Sequence, residues 1–303
     1  MLELRRLILL RDLAEHGTVT AVAELHRVTA SAVSQQLKQL EEETGVRLLD
    51  RDGRSVRLTA AGQVLAADTE PVLAALEQAR ARMRALAGHT AGPFRLTSFA
   101  SALASLAVPL CTALESAHPE LRVHITEAEP ETALPLLRRR RSDLALVYRY
   151  TNLPADAPAG IETRVLRHDP LLAVLREDHP AASAGAAEGA VALHELARMQ
   201  WVTAVEGSAC REAVLHACRA AGFTPQVRHA CTDFGAMLAL VAAGGRAALV
   251  PRLALSALPP GLIALPVAGG GPARTIEAAV RQGSADEPAV AACLGALDAL
   301  AQA

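Results

Sequence analysis

The N-terminal part of the chain carries two short apolar patterns of helical spacing, separated by a tight turn. The first runs from Thr18 to about Leu25, and the second starts near Ser31. Apolar residues recur three or four positions apart, which predicts one buried stripe on each helix. The stripe residues are Ala21, Val22 and Leu25 in the first pattern, and Val33, Leu37 and Leu40 in the second. The pattern predicts a helix-turn-helix, whose second helix enters a DNA major groove. An amphipathic helix from Leu2 to about Glu15 should pack behind both.

The outward face of the second helix is small and polar. No acidic residue stands between His26 and Leu40, as expected for a surface that meets phosphate, because a carboxylate there would repel the DNA backbone. We therefore predict contacts to base edges from Ser31, Ser34 and Gln35, and contacts to phosphate or the minor groove from Thr29, Lys38, Arg51 and Arg54. The alternative is a helix-turn-helix that contacts only protein.

A small hairpin is predicted next. Asp52-Gly53 is a turn signal between strands, and Val56 and Leu58 alternate with Arg57. The hairpin would act as a wing that carries Arg51 and Arg54 towards DNA.

A long helix is predicted from Thr59 or Ala60 to about Leu86. Its apolar positions alternate at spacings of three and four, which forms a heptad seam, and a seam of this kind needs a partner helix. The seam residues are Leu65, Thr69, Val72, Leu76, Ala79, Met83 and Leu86. Pro71 removes one helical hydrogen bond, so the helix is expected either to bend there or to consist of two pieces. The alternative is a solvated spacer helix.

After a Gly-rich hinge at 88–93, strands alternate with helices, the signature of an α/β domain. A Pro-rich loop is expected at 152–160 and a mobile Ala/Gly/Ser-rich loop at 181–190. The predicted strands are 94–97, 121–126, 144–148, 161–167, 171–175, 201–203, 227–230, 247–250 and 275–281, and the predicted helices are 103–117, 131–141, 210–221, 234–243 and 288–301.

Composition narrows the class of protein. The 303 residues exceed one typical domain, and the net charge of −2 means that any DNA-binding surface must be local. We find no run of about eighteen apolar residues and no signal-peptide cleavage site, and therefore expect a cytoplasmic protein without a membrane span. Its cysteines should be reduced.

The N-terminal residues resemble the winged helix-turn-helix of LysR-type transcriptional regulators. The resemblance is dense over residues 1–62. It rests on Ala32-Val33-Ser34-Gln35-Gln36-Leu37, Leu40-Glu41, Gly45, Leu48-Leu49, Arg51 and Leu58-Thr59-Ala60-Ala61-Gly62. Many members have Gln-Pro where this chain has Ala30-Ser31, and Leu49 replaces an aromatic residue common before the wing. The resemblance implies a homodimer paired through the long helix, a tetramer paired through the C-terminal domains, and RNA polymerase as a further candidate partner.

The rest of the chain resembles the family's effector domain, which has the two-lobed α/β architecture of type 2 periplasmic binding proteins. The matching landmarks are Pro119-Glu120, Asp143-Leu144-Ala145-Leu146, Gly222-Phe223 and Val250-Pro251. The expected domains are 1–62 for DNA binding, 63–90 for the linker helix and hinge, and 91–303 for the effector domain. Lobe I would comprise 91–163 and 267–303, and lobe II 164–266.

A small-molecule effector of unknown identity is expected in the cleft between the lobes. Ligands of open α/β sheets lie at the C-terminal ends of strands, and the resemblance implies contacts from the loops there. The candidate contacts are Ser98, Phe99, Ser101, Glu127, Glu129, Thr203, Glu206, Asp233 and Phe234. The acidic members suggest a ligand with an amine or other cationic group, unless these acids only cap helices and face water. Ser98 and Ser101 suit either an anion or a helix cap.

Two further functions stay open at this point. Cys210 and Cys218 loosely resemble the redox pair of peroxide-sensing family members, but eight residues on one helix span about 12 Å, too far for a disulfide. A ligand-independent DNA binder is the other alternative. We expect no enzyme activity, metal site or cofactor, because the sequence has no nucleophile elbow, P-loop, dinucleotide fingerprint or metal-ligand spacing.

Overall fold

The computed structural model describes residues 2–52, 55–86, 90–154 and 157–302. Two compact units are distinguished, 1–82 with 282–284, and 83–281 with 285–303. The first unit contains three helices, a two-stranded hairpin and most of a long helix. The bounds are α1 Leu4–His16, α2 Val19–His26, α3 Ala30–Thr44, β1 Leu49–Asp52, β2 Ser55–Leu58 and α4 Ala60–Leu86.

The helix-turn-helix is held by the predicted stripe of α3, by Val22 of the predicted stripe of α2, and by local caps. Val33, Leu37 and Leu40 are buried with residues of α1 and α2 in one core. The side chain of Thr18 accepts a hydrogen bond from the Ala21 amide at the start of α2, and Thr29 does the same for Ala32 at the start of α3. Such caps satisfy amides that lack a partner within the helix. They fix where each helix begins.

The wing is fastened to the core by two polar side chains. Glu41 accepts hydrogen bonds from the amides of Leu48 and Leu49, at 2.8 and 3.0 Å, just before β1. Thr59 donates to the Arg47 carbonyl and accepts from the Gly62 amide, which caps α4. A Cβ on Gly62 would stand 2.2 Å from the Leu48 carbonyl oxygen, so only glycine permits this approach. The predicted hairpin is confirmed by the antiparallel pairing of β1 and β2.

Helix α4 continues through Pro71, so of the two alternatives, a bend or two pieces, the second is excluded. The apolar seam beyond Pro71 is largely exposed in the single chain. Val72 and Leu76 are 44% and 38% exposed, and Met83 and Leu86 are 70% and 85% exposed.

The first lobe of the second unit is a layered α/β structure. Strands β3, β4 and β5 are parallel, and β11 joins them antiparallel beside β5. The apolar faces of α6 and α11 pack into this lobe's main core. The bounds are β3 Gly92–Ser98, α5 Ala100–Ala102, α6 Val108–Ala117, β4 Leu121–Glu127, α7 Pro130–Arg138, β5 Leu144–Tyr150, β11 Ala273–Arg281 and α11 Pro288–Gln302.

The second lobe has its own strands and a core around Trp201, the single tryptophan of the chain. Strand β7 pairs in parallel with β8 and β9, and β9 and β10 pair with β6. The bounds are β6 Ile161–Arg176, α8 Pro180–Glu188, β7 Gln200–Thr203, α9 Ala209–Ala220, β8 Gln226–Ala230, α10 Phe234–Ala242, β9 Arg246–Pro251 and β10 Leu262–Leu265.

Strand β6 belongs to both lobes, which corrects the predicted break between two strands. Residues 161–170 pair with β11 in the first lobe, and residues 171–176 pair with β9 and β10 in the second. Pro170 lies where the partner of β6 changes from β11 to β9 and β10. The strand continues past Pro170 although proline has no amide proton to donate. First-lobe pairing thus runs to Pro170.

Two other expectations are also corrected. Most of the predicted loop at 181–190 is helical: α8 spans Pro180–Glu188, and the His179 side chain accepts a hydrogen bond from the Ala181 amide. Helix α7 ends at Arg138 rather than 141, and Arg140 takes the left-handed conformation. Strand β10 was not predicted.

The described residues also contain one stretch, Ala100–Ala117, that is long and apolar enough to cross a membrane, contrary to the expectation of no such run. A five-residue π-helical segment at Leu103–Ala107 joins α5 to α6 within it. Leu106, Leu110 and Leu114 are buried in the first-lobe core, so the stretch packs there as a core helix.

Candidate functional site

The outward face of α3 presents the residues predicted to meet DNA. Thr29, Ser31, Gln35 and Lys38 are exposed, and Ser34 is half-buried. The Thr29 and Ser31 hydroxyls lie 3.0 Å apart in a hydrogen bond at the start of the helix. The helix therefore brings these five side chains together on one surface.

Other polar residues of α3 have structural partners. Gln36 accepts a hydrogen bond from the Arg6 guanidinium at 3.0 Å, and Glu43 pairs with the same arginine. The Lys38 ammonium lies 3.8 Å from Glu42, and both side chains are largely exposed. An exposed pair of this kind is weak, so Lys38 is available to another anion. Of Arg51 the structure describes only the backbone, and Arg54 lies outside the described residues.

A second site lies between the lobes of the effector domain, as a cleft of about 290 Å³. Its lining includes Ser101, Glu129, Glu131, Tyr148, Tyr150 and Arg274 from the first lobe, and Val205, Glu206, Ser208, Cys210, Thr232 and Phe234 from the second. A cleft of this size is at the small end of natural ligand pockets, which span about 300–1,000 Å³.

The centre of the cleft floor is a row of side chains on three neighbouring strands. Arg274 on β11 stands opposite Tyr150 on β5 and opposite Asp169 on β6. The Arg274 side chain is only 2% exposed, and its Nε donates to Asp169 Oδ2 at 3.1 Å. Its Nη2 donates to the Ser101 hydroxyl at 3.0 Å. A buried guanidinium is tolerated because a carboxylate balances its charge.

Aromatic rings enclose that guanidinium. It lies 4.7 Å from the ring centroid of Tyr148 and 5.1 Å from that of Phe99, within the range of cation–π attraction. The Tyr148 hydroxyl donates to Glu129 Oε2 at 2.7 Å. Burial and the neighbouring carboxylate both raise the pKa of Tyr148, so its hydroxyl stays protonated and acts as a donor.

Tyr150 occupies the deeper part of the wall. Its side chain is 4% exposed, and among the described residues its hydroxyl has no nitrogen or oxygen partner. The polar group beside it is the Cys210 thiol, a weak hydrogen-bonding group. Burial, then the neighbouring Cys210, raise the pKa of Tyr150. The hydroxyl is therefore neutral and under-satisfied.

Four of the nine predicted effector contacts line the cleft: Ser101, Glu129, Glu206 and Phe234. The other five do not line it. Ser98 and Thr203 are buried and donate to the carbonyls of Phe99 and Ala204. Asp233 caps α10 through the Ala236 amide. Phe99 packs beneath Arg274, and Glu127 is exposed at the end of β4.

The cleft residues that sequence reasoning missed include Glu131 and the four that form the floor and the deeper wall, Tyr148, Tyr150, Cys210 and Arg274. The two tyrosines lie at the end of β5. The predicted strand stops at the first of them, Tyr148, and Tyr150 lies beyond it. Their rarity is a signal that was available, because the chain has only two tyrosines and both reach this cleft.

The two cysteines of the redox hypothesis are buried thiols. Burial raises the pKa of Cys210, and it raises the pKa of Cys218 to about 12. A reactive cysteine is instead an accessible thiolate. Neither side chain has that environment.

Comparisons with known proteins identify both parts of the chain. The family model described as "LysR substrate binding domain" matches residues 87–302, and the model described as "Bacterial regulatory helix-turn-helix protein, lysR family" matches residues 4–63. The chain is 31% identical over 263 residues to the HTH-type transcriptional regulator ShiR of Corynebacterium glutamicum (strain R), covering 83% of this chain and 86% of that protein.

Two further relatives extend the match. The chain is 28% identical over 289 residues to the DNA-binding transcriptional dual regulator OxyR of Escherichia coli (strain K12), covering 93% and 90% of the two chains. Its fold is similar to that of full-length CbnR, solved in complex with its target DNA, with a TM-score of 0.56, 21% identity and coverage of 99% and 100%. The chain therefore belongs to the LysR family of transcriptional regulators, with an N-terminal helix-turn-helix and a C-terminal effector-binding domain.

Proposed function

We propose that this regulator reads its operator through the outward face of α3. Ser31, Ser34 and Gln35 contact base edges, and Thr29, Lys38, Arg51 and Arg54 contact phosphate or the minor groove. Support comes from the acid-free stretch before Leu40 and from the cap that makes Thr29 the first residue of this surface. A helix N-terminus also favours phosphate, because its free amides and dipole are positive.

Lys38 tests this surface. Lys38→Gln should weaken binding to every DNA sequence about threefold to tenfold, and should reduce the salt dependence by about one counterion for each Lys38 in contact. Titrations of a labelled fragment from the region upstream of the protein's own gene, at several salt concentrations, measure both. The control is Arg219→Gln, an exposed cation at the end of α9. An unchanged salt slope removes Lys38 from the interface.

The regulator acts as a dimer through α4, and as a tetramer through its effector domains. The observation behind the dimer is the exposure of Val72, Leu76, Met83 and Leu86 on one predicted seam, because a partner helix would remove these apolar side chains from water. Leu76→Glu should therefore shift the sedimentation of the full chain towards a smaller species. The same sedimentation pattern in variant and wild type would contradict pairing through this seam.

A small molecule in the cleft modulates the DNA-binding state. The single observation that carries this function is one chain that joins a helix-turn-helix to a two-lobed domain with a cleft lined by both lobes. A ligand that binds one lobe arrangement better than another shifts the population towards it. We place this activity in the cytoplasm, with RNA polymerase as a partner at the promoter, and without a catalysed reaction or cofactor.

A thermal-shift screen of the full chain against metabolite pools tests the cleft. A ligand at about one hundred times its Kd should raise the free energy of unfolding by about 2.7 kcal/mol. The matched variant is Ala209→Trp, because Ala209 lines the cleft and an indole there would fill it. A hit that stabilises the wild type but not the variant locates the ligand. Equal stabilisation of both would place it elsewhere.

A further inference from the structure

The charge of the cleft lining is unbalanced. Glu129 and Glu131 from the first lobe and Glu206 from the second bring three carboxylates to it. Among the described residues, the lining contains no lysine, no histidine and no arginine besides Arg274. Asp169 already balances the charge of Arg274. A ligand that enters the cleft therefore meets a net negative surface.

The walls are unusually aromatic for this chain. Only seven of the 303 residues are Phe, Tyr or Trp, yet Tyr148, Tyr150 and Phe234 all line this one cleft. Aromatic walls combined with carboxylates are the surroundings that recognise organic ammonium groups, because rings attract cations and bury alkyl carbon. The same walls offer little to a small, strongly hydrated metal ion.

A second feature points to a ligand independently of charge. The Tyr150 hydroxyl is buried, lies in the cleft wall and lacks a nitrogen or oxygen partner among the described residues. A buried hydroxyl left in this state costs free energy, which a hydrogen bond from a bound molecule would recover. A ligand therefore gains by carrying a polar group that reaches Tyr150.

We propose that the effector is a small organic amine or quaternary ammonium compound with a second, uncharged polar group. Its cationic group lies among Glu129, Glu131 and Glu206, and its polar group meets the Tyr150 hydroxyl. The assignment rests on the proposed function, in which the cleft is the effector site. Because the carboxylates come from both lobes, a cation between them removes like-charge repulsion across the cleft. It therefore favours an arrangement in which the two lobes lie closer together.

A carboxylate effector fits this cleft less well. Arg274 is the cation that such a ligand would need, and its Nε and Nη2 already donate to Asp169 and Ser101. To recruit it fully, the ligand would have to leave Asp169 buried without its partner, which is strongly unfavourable. The ligand's own charge would also face the three carboxylates of the lining.

Four probes that share one aromatic ring and differ in charge test the assignment. They are benzylamine and benzyltrimethylammonium as cations, benzyl alcohol as the neutral analogue and benzoate as the anion. Binding to the full chain is measured by the shift of Tm and by calorimetric titration. We expect the cations to bind, benzyl alcohol to bind more weakly, and benzoate to give no shift.

Matched variants connect that binding to the cleft. Glu206→Gln and Glu129→Gln keep the size of the side chain and remove its charge, so each should weaken cation binding about fivefold to tenfold. Glu120→Gln is the control. Glu120 is exposed and stands just before β4, at the end of that strand that lies away from the cleft. Ala209→Trp should abolish binding.

The outcomes separate this assignment from the proposed function. Benzoate binding that is lost in Ala209→Trp, with no shift from the cations, overturns the cationic class but retains the effector cleft. Cation binding that Glu206→Gln and Glu129→Gln leave unchanged also overturns it. If none of the four probes binds, the assignment fails, and the metabolite screen with Ala209→Trp decides separately whether the cleft binds any effector.

Discussion

The outward face of α3 and the cleft of the effector domain, the two candidate recognition surfaces, are built differently. On the first surface, the five side chains proposed to meet DNA lie within ten positions, from Thr29 to Lys38, and leave the core to Val33, Leu37 and Leu40. In the cleft, residues from Ser101 to Arg274 converge, and the floor is a buried ion pair. The helix face can therefore change with little effect on folding, whereas the cleft floor couples recognition to stability.

The largest expected effect comes from breaking the cleft floor. Arg274→Met leaves Asp169 buried without its cation, and should lower the free energy of unfolding by about 3–5 kcal/mol. Urea unfolding followed by circular dichroism measures the loss. Arg219→Met is the control, because Arg219 is exposed at the end of α9, and its loss should leave the unfolding midpoint unchanged.

A double variant shows whether the cost arises from the unpaired charge. Arg274→Met with Asp169→Leu removes both charges and should recover much of the stability lost by Arg274→Met alone. If the single variant is as stable as the wild type, the floor is not the coupled element that distinguishes the cleft from α3.

The next effect compares two helical glycines, one in each unit. Gly62→Ala would bring a Cβ to 2.2 Å from the Leu48 carbonyl, and should destabilise the protein by about 1–3 kcal/mol as the wing is displaced. Gly295→Ala in α11 meets no atom within 4 Å, so helix propensity alone should stabilise it by about 0.5–1 kcal/mol. Thermal unfolding of the full chain gives both signs. A gain of stability at Gly62 would contradict the close approach of wing and linker helix.

The smallest effect concerns the thiols near the cleft. The pKa of Cys218 is raised to about 12 because the folded protein buries the neutral thiol. This contribution to stability is therefore complete below the ordinary pKa of about 9, and is lost as pH rises from about 9 to 12. At pH 8, iodoacetamide should label Cys218 in the folded protein about a hundredfold or more slowly than in urea.

Mass spectrometry of timed samples measures that labelling, with the less buried Cys111 and Cys231 as internal references. Cys218 labelled before both references, together with DNA binding that changes on peroxide treatment, would restore the redox hypothesis raised by Cys210 and Cys218.

The two regions also differ in what sequence alone could predict. The helices around α3 follow from local spacing and caps, which a short window of sequence contains. Arg274 could not be recognised in this way, because it is one of 29 arginines (30 Lys and Arg minus the single lysine, Lys38). It acquires its role only when β11 pairs with β6 and places it opposite Asp169.

The errors in the prediction have the same origin. Two strands, 161–167 and 171–175, were predicted where β6 is continuous, because the change of partner strands at Pro170 is a long-range property of the sheet. Residues 181–190 looked like a loop because glycine and alanine are small. That small size is required where Gly185 packs against Leu265 and Val191.

The unbroken course of β6 determines which movement the effector domain can make. One ladder of hydrogen bonds holds Ile161–Pro170 to β11, and others hold the residues that follow to β9 and β10. A slide by one residue along either ladder would turn every inward side chain outward. Twisting about the strand preserves both ladders. The lobes can therefore rotate relative to each other about β6. A ligand bound in the cleft would change the angle between the lobes rather than slide one lobe along the other.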